Sequence, residues 1–249
     1  MSEAAKPAVG PSGRRAVAPR RERARAATID EIKATALALM HDHGTTEVRF
    51  TDIARAMDMT PPALYRYFAD RDELLTALIA DAYDALGQYV ADERDKASAD
   101  DIGARWLAVA QAYRQWARRE PQQFALILGL PLPGYAAPEN GLTTEAAQRA
   151  MSQLSMLFIE ALLHGQLKRP IVREVHPAVE MCAAAKNAEL TLTIPAETFQ
   201  AMLHAWAALH GFTSLEANGH FDWMPPPARD ALFLGQVRLA AHAAGMPLP

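Results

Sequence analysis

Apolar residues recur along this chain at three- and four-residue intervals, and the interruptions fall where helices would stop. The series Ile32, Ala36, Leu39, Met40 predicts a first helix, opened by Thr28 with Glu31 three positions on as a capping box and stopped at Gly44. Thr51 would cap a short second helix, TDIARAMD, with Ile53, Ala54 and Met57 on its apolar face. Thr60, followed by Pro61 at the favoured first helical position, opens a third, carrying Leu64 and Phe68 at i and i+4. Asp70 and Glu73 repeat the capping pattern, and Leu74, Leu78, Ala82, Leu86 and Val90 extend a long helix to about Arg94.

A further helix follows on Trp106, Ala110, Tyr113 and Ala117, then a short apolar stretch, QFALILGL, and later another long helix on Met151, Leu154, Phe158, Ala161 and Gly165. Residues 129–141, rich in Pro and Gly, read as a structured loop. A helix near 178–188 and a patterned one after Pro195 lead to a last helix near 228–243; only LTLTI at 190–194 hints at a strand. The fold class is therefore all-α. An N-terminal three-helix helix-turn-helix domain (28–75) precedes a larger helical domain (76–249).

Charge changes this picture mainly at one end. The formal net charge is -4 over 249 residues, which argues against a wholly basic nucleic-acid binder. Residues 1–27 nevertheless gather Lys6, Arg14, Arg15, Arg20, Arg21, Arg23 and Arg25 against Glu3 and Glu22, with scattered Pro and Gly. They read as a disordered basic arm that adds sequence-independent affinity for DNA, or else as an inert solvated tail. Cys182 is the single cysteine, so intrachain disulfides and cysteine-rich zinc sites are excluded, which suits a reducing cytoplasm. The basic N-terminus has no apolar run behind it to make a secretory signal. The uncharged stretch 121–138 contains four prolines and does not read as a membrane span.

Two short helices around a tight turn are the geometry that lays a second helix in the DNA major groove. The turn is Met57, Asp58, Met59, with Asp58 able to take the left-handed conformation. Of Thr60 to Phe68, only Arg66 can make a bidentate contact to guanine; Pro61, Pro62 and Ala63 offer no side-chain donor. Thr60, Tyr65, Tyr67 and the free amides at the helix start can donate to phosphates. The competing readings are ordinary packing for the tyrosines and a solvated charge for Arg66.

With these residues in view, TDIARAMDMTPPALYRYFADRDELL at 51–75 resembles the DNA-binding motif of the TetR family of transcriptional regulators. The resemblance implies phosphate contacts at Thr51, Thr60, Tyr65, Tyr67 and Arg71. Asp58 stands where that family often has Gly, and Pro61 and Pro62 where it has Lys or a small residue. GLPLPGYAAP and AWAALHGFTSLEANGHF are similar to the TetR C-terminal domain named for its Trp, His and Gly, here Trp206, His210 and Gly211. The family pairs as a homodimer through its last two helices, here about 195–217 and 228–243.

Ala207 and Gly211, four apart, leave a small-residue strip beside the Trp206/His210 pair, and these four residues are the expected subunit interface. Trp106, Tyr113, Phe124, Met151, Phe158 and Met202 are the candidate lining of an effector pocket, with plain core as the alternative for each. The lack of charge on these faces suggests a small apolar or aromatic effector. No histidine pair has zinc-ligand spacing with a third ligand nearby, so neither metal nor cofactor is assigned. The expected function is a cytoplasmic, ligand-responsive repressor bound to double-stranded DNA at a near-palindromic operator, without a membrane association. A DNA-binding architectural protein without ligand, or a helical enzyme, are the rival readings.

Overall fold

The computed structural model describes residues 20–190 and 193–248, and among these it is entirely helical. The elements are α1 (Arg20–His43), α2 (Phe50–Ala56), α3 (Pro61–Leu64), α4 (Arg71–Arg94), α5 (Ile102–Arg119), α6 (Pro121–Leu128), α7 (Leu142–Leu163), α8 (Pro177–Leu190), α9 (Ala196–Ala217) and α10 (Pro226–Ala244).

Helix α1 starts at Arg20, eight residues before the expected cap, so residues 20–27 are helical and not part of a disordered arm. The hydroxyl of Thr28 donates to the Ala24 carbonyl one turn back, the bond that a threonine makes inside a helix. Residues 20–27 hold seven helix-forming Ala and Arg residues uninterrupted by Gly or Pro, and an arginine-rich turn can continue a helix whose buried face starts later. The expectation for residues 1–19 lies outside the described residues. The hinted strand is absent where described: Leu190 ends α8, and the Asn187 side chain bonds the backbone N–H and C=O of Ile194, both at 2.9 Å.

Helix α2 begins at Phe50 after an extended Arg49 that contributes no side-chain cap, so Thr51 sits inside its first turn. Buried Phe50 sets this start. The third helix is four residues long; beyond Leu64 the chain tightens, with Tyr67 N–H donating to the Leu64 carbonyl at 2.8 Å. Asp70 caps α4 as expected, its carboxylate accepting from Glu73 N–H at 2.8 Å while Glu73 reaches back to Ala69 N–H.

Two apolar cores result, and they do not part at residue 75. The smaller unites Ile32, Ala36, Met40, Val48, Phe50, Ile53, Leu64, Phe68, Leu74, Leu75 and Leu78, and also takes Leu126 of α6 and Leu132 beyond it. The larger holds Ala82, Leu86 and Val90 of α4 with α5, Phe124, Leu157, Phe158 and the inner faces of α9 and α10. Helix α4 thus runs from one core into the other, and α6 supplies a side chain to each. At about 1.5–3 kcal/mol for each fully buried large apolar side chain, both attachments are strong. Against α7 the approach is close at Gly87, where a Cβ would lie 3.1 Å from Ala150 Cα.

Candidate nucleic-acid interface and effector cavity

The turn between α2 and α3 rests on Asp58, whose φ of 51° is left-handed, and on Met59 N–H donating to the Ala54 carbonyl at 2.8 Å. A short acidic side chain tolerates this conformation better than a branched one. Ile53, Ala54, Leu64 and Phe68 face inward. The outward face carries Thr60, Pro61, Tyr65 and Arg66, all exposed. Thr60 caps α3 through its backbone without a side-chain bond, leaving its hydroxyl toward solvent-side partners. Tyr65 is 56% exposed, with its ring 5.1 Å from Phe50. Thr51 is likewise exposed, one helix away.

Two of the sequence-predicted residues are less free. Tyr67 is half-buried against the small core, under the guanidinium of Arg25, whose carbon lies 5.4 Å from the ring centroid. Arg71 is partly buried and donates through Nε to the Val48 carbonyl at 3.4 Å. It thereby ties the start of α4 to the α1–α2 connection. The sequence places Arg25 only in a basic arm; it becomes a brace because α1 extends N-terminally past Thr28.

In the larger domain, α4 (Leu86, Val90), α5 (Val109, Tyr113), α7 (Ala150, Met151, Gln153, Leu154) and α9 (Trp206, Leu209) enclose a cavity of about 30 Å³. Of the six residues expected to line a pocket, Tyr113 and Met151 do so. Trp106 and Phe158 are core, packed edge-to-face at 6.3 Å, with the Trp106 indole N–H donating to the Val237 carbonyl at 3.0 Å. Phe124 packs behind the cavity against the rings of Tyr113 and His210, and Met202 lies partly buried on the same core. These four fill volume that the sequence pattern could not distinguish from a lining.

The four residues expected at a subunit interface divide between two faces of α9. Trp206 and His210 turn inward: their rings stack at 5.5 Å, Trp206 lines the cavity, and His210 Nδ1 meets the Tyr113 hydroxyl at 2.9 Å. His210 Nε2 faces the Ser214 hydroxyl at 3.3 Å. Desolvation pushes the His210 pKa down and that of Tyr113 up, which favours the neutral form of each. The indole N–H of Trp206 is buried with no hydrogen-bond partner among the described residues. Ala207 faces outward, and beside half-buried Gly211 a Cβ would meet nothing within 4 Å. Leu203 and Leu215 share the four-residue spacing of this strip on α9 and are exposed, as are Leu232, Gly235 and Leu239 of α10.

Among the described residues no group of three His, Cys, Asp or Glu gathers as metal ligands, and no helix is long and apolar enough to cross a membrane.

Comparison with known proteins agrees with this geometry. Residues 32–78 match the family model described as bacterial regulatory proteins, tetR family, and residues 106–239 match that described as tetracyclin repressor-like, C-terminal domain. The HTH-type transcriptional regulator Rv1816 of Mycobacterium tuberculosis is 32% identical over 202 residues, spanning 80% of this chain and 84% of that protein. Mb1846 of Mycobacterium bovis, also described as an HTH-type transcriptional regulator, gives the same figures. The crystal structure of the regulatory protein SCO4313 superposes with a TM-score of 0.69 at 30% identity, over 90% of this chain and 98% of that one. A tetR family regulator from Shewanella sp. PV-4 shares the fold, with a TM-score of 0.56 at 16% identity over 85% and 96% of the two chains. With its helix-turn-helix and its helical C-terminal domain both matched, the chain belongs to the TetR family of bacterial transcriptional regulators.

Proposed function

We propose that the protein is a homodimeric, ligand-responsive repressor that binds a near-palindromic operator in the cytoplasm and releases it when a neutral apolar or aromatic effector enters the α4–α5–α7–α9 cavity. The observation that carries this reading is the size and placement of that cavity. At about 30 Å³ it holds no more than a water, whereas small-molecule sites span roughly 300–1,000 Å³. An effector must therefore part the walls, and Leu86 and Val90 of one wall belong to the helix that carries the helix-turn-helix. Displacing α4 moves the DNA-binding face.

The lining has no charged side chain, which favours a neutral effector. An acceptor able to reach Trp206 Nε1 would relieve a buried donor that otherwise costs about 1–3 kcal/mol. A coupling of about 1–3 kcal/mol between effector and DNA would weaken operator binding roughly 5- to 150-fold.

On the DNA, Arg66 reads a base edge, while Thr51, Thr60, Tyr65 and Tyr67 address phosphates; Pro61, which has no N–H to donate, meets the DNA backbone through apolar contact alone. Arg71, engaged with Val48, contributes through positioning unless it swings free on binding. Dimerisation uses the outward strip of Ala207 and Gly211 with Leu203, Leu215, Leu232 and Leu239, an exposed apolar face of the kind that marks an interface. Trp206, His210 and Gly211 support placing the chain in the Trp-His-Gly subgroup. The relatives are transcriptional regulators, which supports regulation over an enzymatic role.

Selection of bound duplexes from a random pool tests the core of the proposal: an inverted repeat is expected, with half-sites one or more helical turns apart, about 34–36 Å per turn. A selected site without two-fold symmetry would refute the dimeric mode. Thermal shifts absent across a broad panel of neutral aromatics, with operator binding intact, would favour a DNA-binding protein without an effector.

A further inference from the structure

Covalently, the helix-turn-helix hangs from the rest of the chain by α4 alone. A single helical stalk leaves the presentation angle to whatever else touches the small domain. Residues 129–141, between α6 and α7, add to the attachment that Leu126 of α6 makes to the small core.

The segment leaves α6 at Gly129, whose N–H donates to the Ala125 carbonyl at 3.0 Å. A Cβ at this position would overlap the same carbonyl, so the chain can exit in this direction only at a glycine. Leu130 is 89% exposed, whereas Leu132 is 8% exposed and buried within the small core of Val48, Phe50, Leu75 and their neighbours. Pro133 then walls an open cleft of about 420 Å³ together with Glu47, Val48, Arg49, Phe50, Tyr65 and Arg71. Two residues later the Tyr135 hydroxyl lies 3.0 Å from the Thr76 hydroxyl on α4.

One loop therefore engages the interior of the DNA-binding domain, the α1–α2 connection beside Tyr65 and Arg71, and the second turn of α4. Its root is anchored as well: Tyr83 donates to the Ile127 carbonyl at 2.9 Å, and Gln122 Oε1 meets His41 Nδ1 at 3.2 Å.

We infer that residues 129–141 form a strap that fixes the angle at which the helix-turn-helix is presented, with Leu132 and Tyr135 as positioning residues that set the half-site spacing the dimer accepts. The inference rests on the homodimeric reading above, since spacing has meaning only when two recognition helices bind together. Each acts by holding the domain that carries the DNA-facing side chains Tyr65 and Arg66.

The test uses the full-length protein and its selected operator, with the central spacer lengthened or shortened by one and two base pairs. Tyr135→Phe removes only the hydroxyl, Leu132→Ala the inserted side chain, and Leu130→Ala is the exposed control in the same segment. Wild type and Leu130→Ala should discriminate sharply between spacers. Tyr135→Phe and Leu132→Ala should bind the unaltered operator within about threefold of wild type and lose about tenfold of that discrimination, equivalent to about 1.4 kcal/mol.

Variants that discriminate as wild type does, or that weaken on every spacer equally in step with a lower thermal midpoint, would overturn the strap while leaving the dimer intact. If Leu132→Ala does not fold, Tyr135→Phe decides. Wild type indifferent to spacer length would instead remove the dimeric reading, and the strap with it.

Discussion

The guanidinium of Arg25 lies over the ring of Tyr67, 5.4 Å from its centroid, and donates through Nη1 to the Arg66 carbonyl at 3.4 Å. An arginine from the first helix thus steadies the segment that carries the expected base reader. Its charge acts locally as well as through a general basic field.

Arg25→Ala should therefore weaken binding to matched and scrambled duplexes alike. An exposed cation–π contact is worth about 0.5–1 kcal/mol, a loss of roughly two- to fivefold in an anisotropy titration. Unchanged affinity would show that the N-terminal turns of α1 are idle on DNA.

Arg66→Ala should behave differently. Its side chain is exposed on the outward face, and losing a bidentate guanine contact costs about 1–3 kcal/mol on the cognate site and relaxes preference there. Tyr65→Phe should lower affinity for all sequences equally. Competition between matched and scrambled duplexes separates the two; equal losses for Arg66→Ala on both would remove the base-reading role.

Stability of the larger domain should hinge on Glu216. Arg114 bonds its carboxylate with two nitrogens, at 2.6 and 2.5 Å, and Arg118 adds a third bond at 2.7 Å. The Arg114 guanidinium also sits 4.5 Å from the centroid of Phe233. Breaking a buried pair from one side costs about 3–5 kcal/mol, so Glu216→Ala should lower the urea midpoint sharply. Burial pushes the Glu216 pKa up, but the bonds from Arg114 and Arg118 outweigh it and hold the pKa below the carboxylate range. The folded value thus lies below the unfolded one, near 4.3. The carboxylate's contribution is complete above that pH and is lost as pH falls through the folded value. Acid titration of wild type and Glu216→Gln should show the difference between them shrinking over that window.

His210 predicts a second, milder pH effect. Desolvation lowers its pKa, and its neighbours Tyr113, Ser214, Phe124 and Trp206 offer no opposite charge. The neutral ring is favoured in the fold, so stability is full above the unfolded value of about 6.5 and declines as pH drops below it. The thermal midpoint of wild type should fall between about pH 7.5 and pH 5.5, and less so for His210→Gln. A midpoint equally pH-dependent in both proteins would exclude His210 as the source.

Local pattern made much of this molecule legible. The capping of α4 by Asp70 and Glu73, the left-handed turn at Asp58 and the outward face of Thr60, Tyr65 and Arg66 all follow from neighbours within four residues. Such short-range features are determined by backbone sterics and hydrogen bonds that the sequence carries in order. Thr28 shows the limit even at that range: a threonine followed by a glutamate can cap a helix or lie within one, and the arginine-rich turns before it decide.

Residue order alone specifies the all-helical class, the helix-turn-helix and the long helix joining it to a second domain. Packing between distant elements turns Trp206 and His210 toward the cavity and Ala207 and Gly211 away, and makes Trp106 core. It alone brings Leu132 from beyond α6 into the core of the DNA-binding domain. Helical spacing says which residues share a face; it does not say what covers that face, because burial depends on elements far away in the chain.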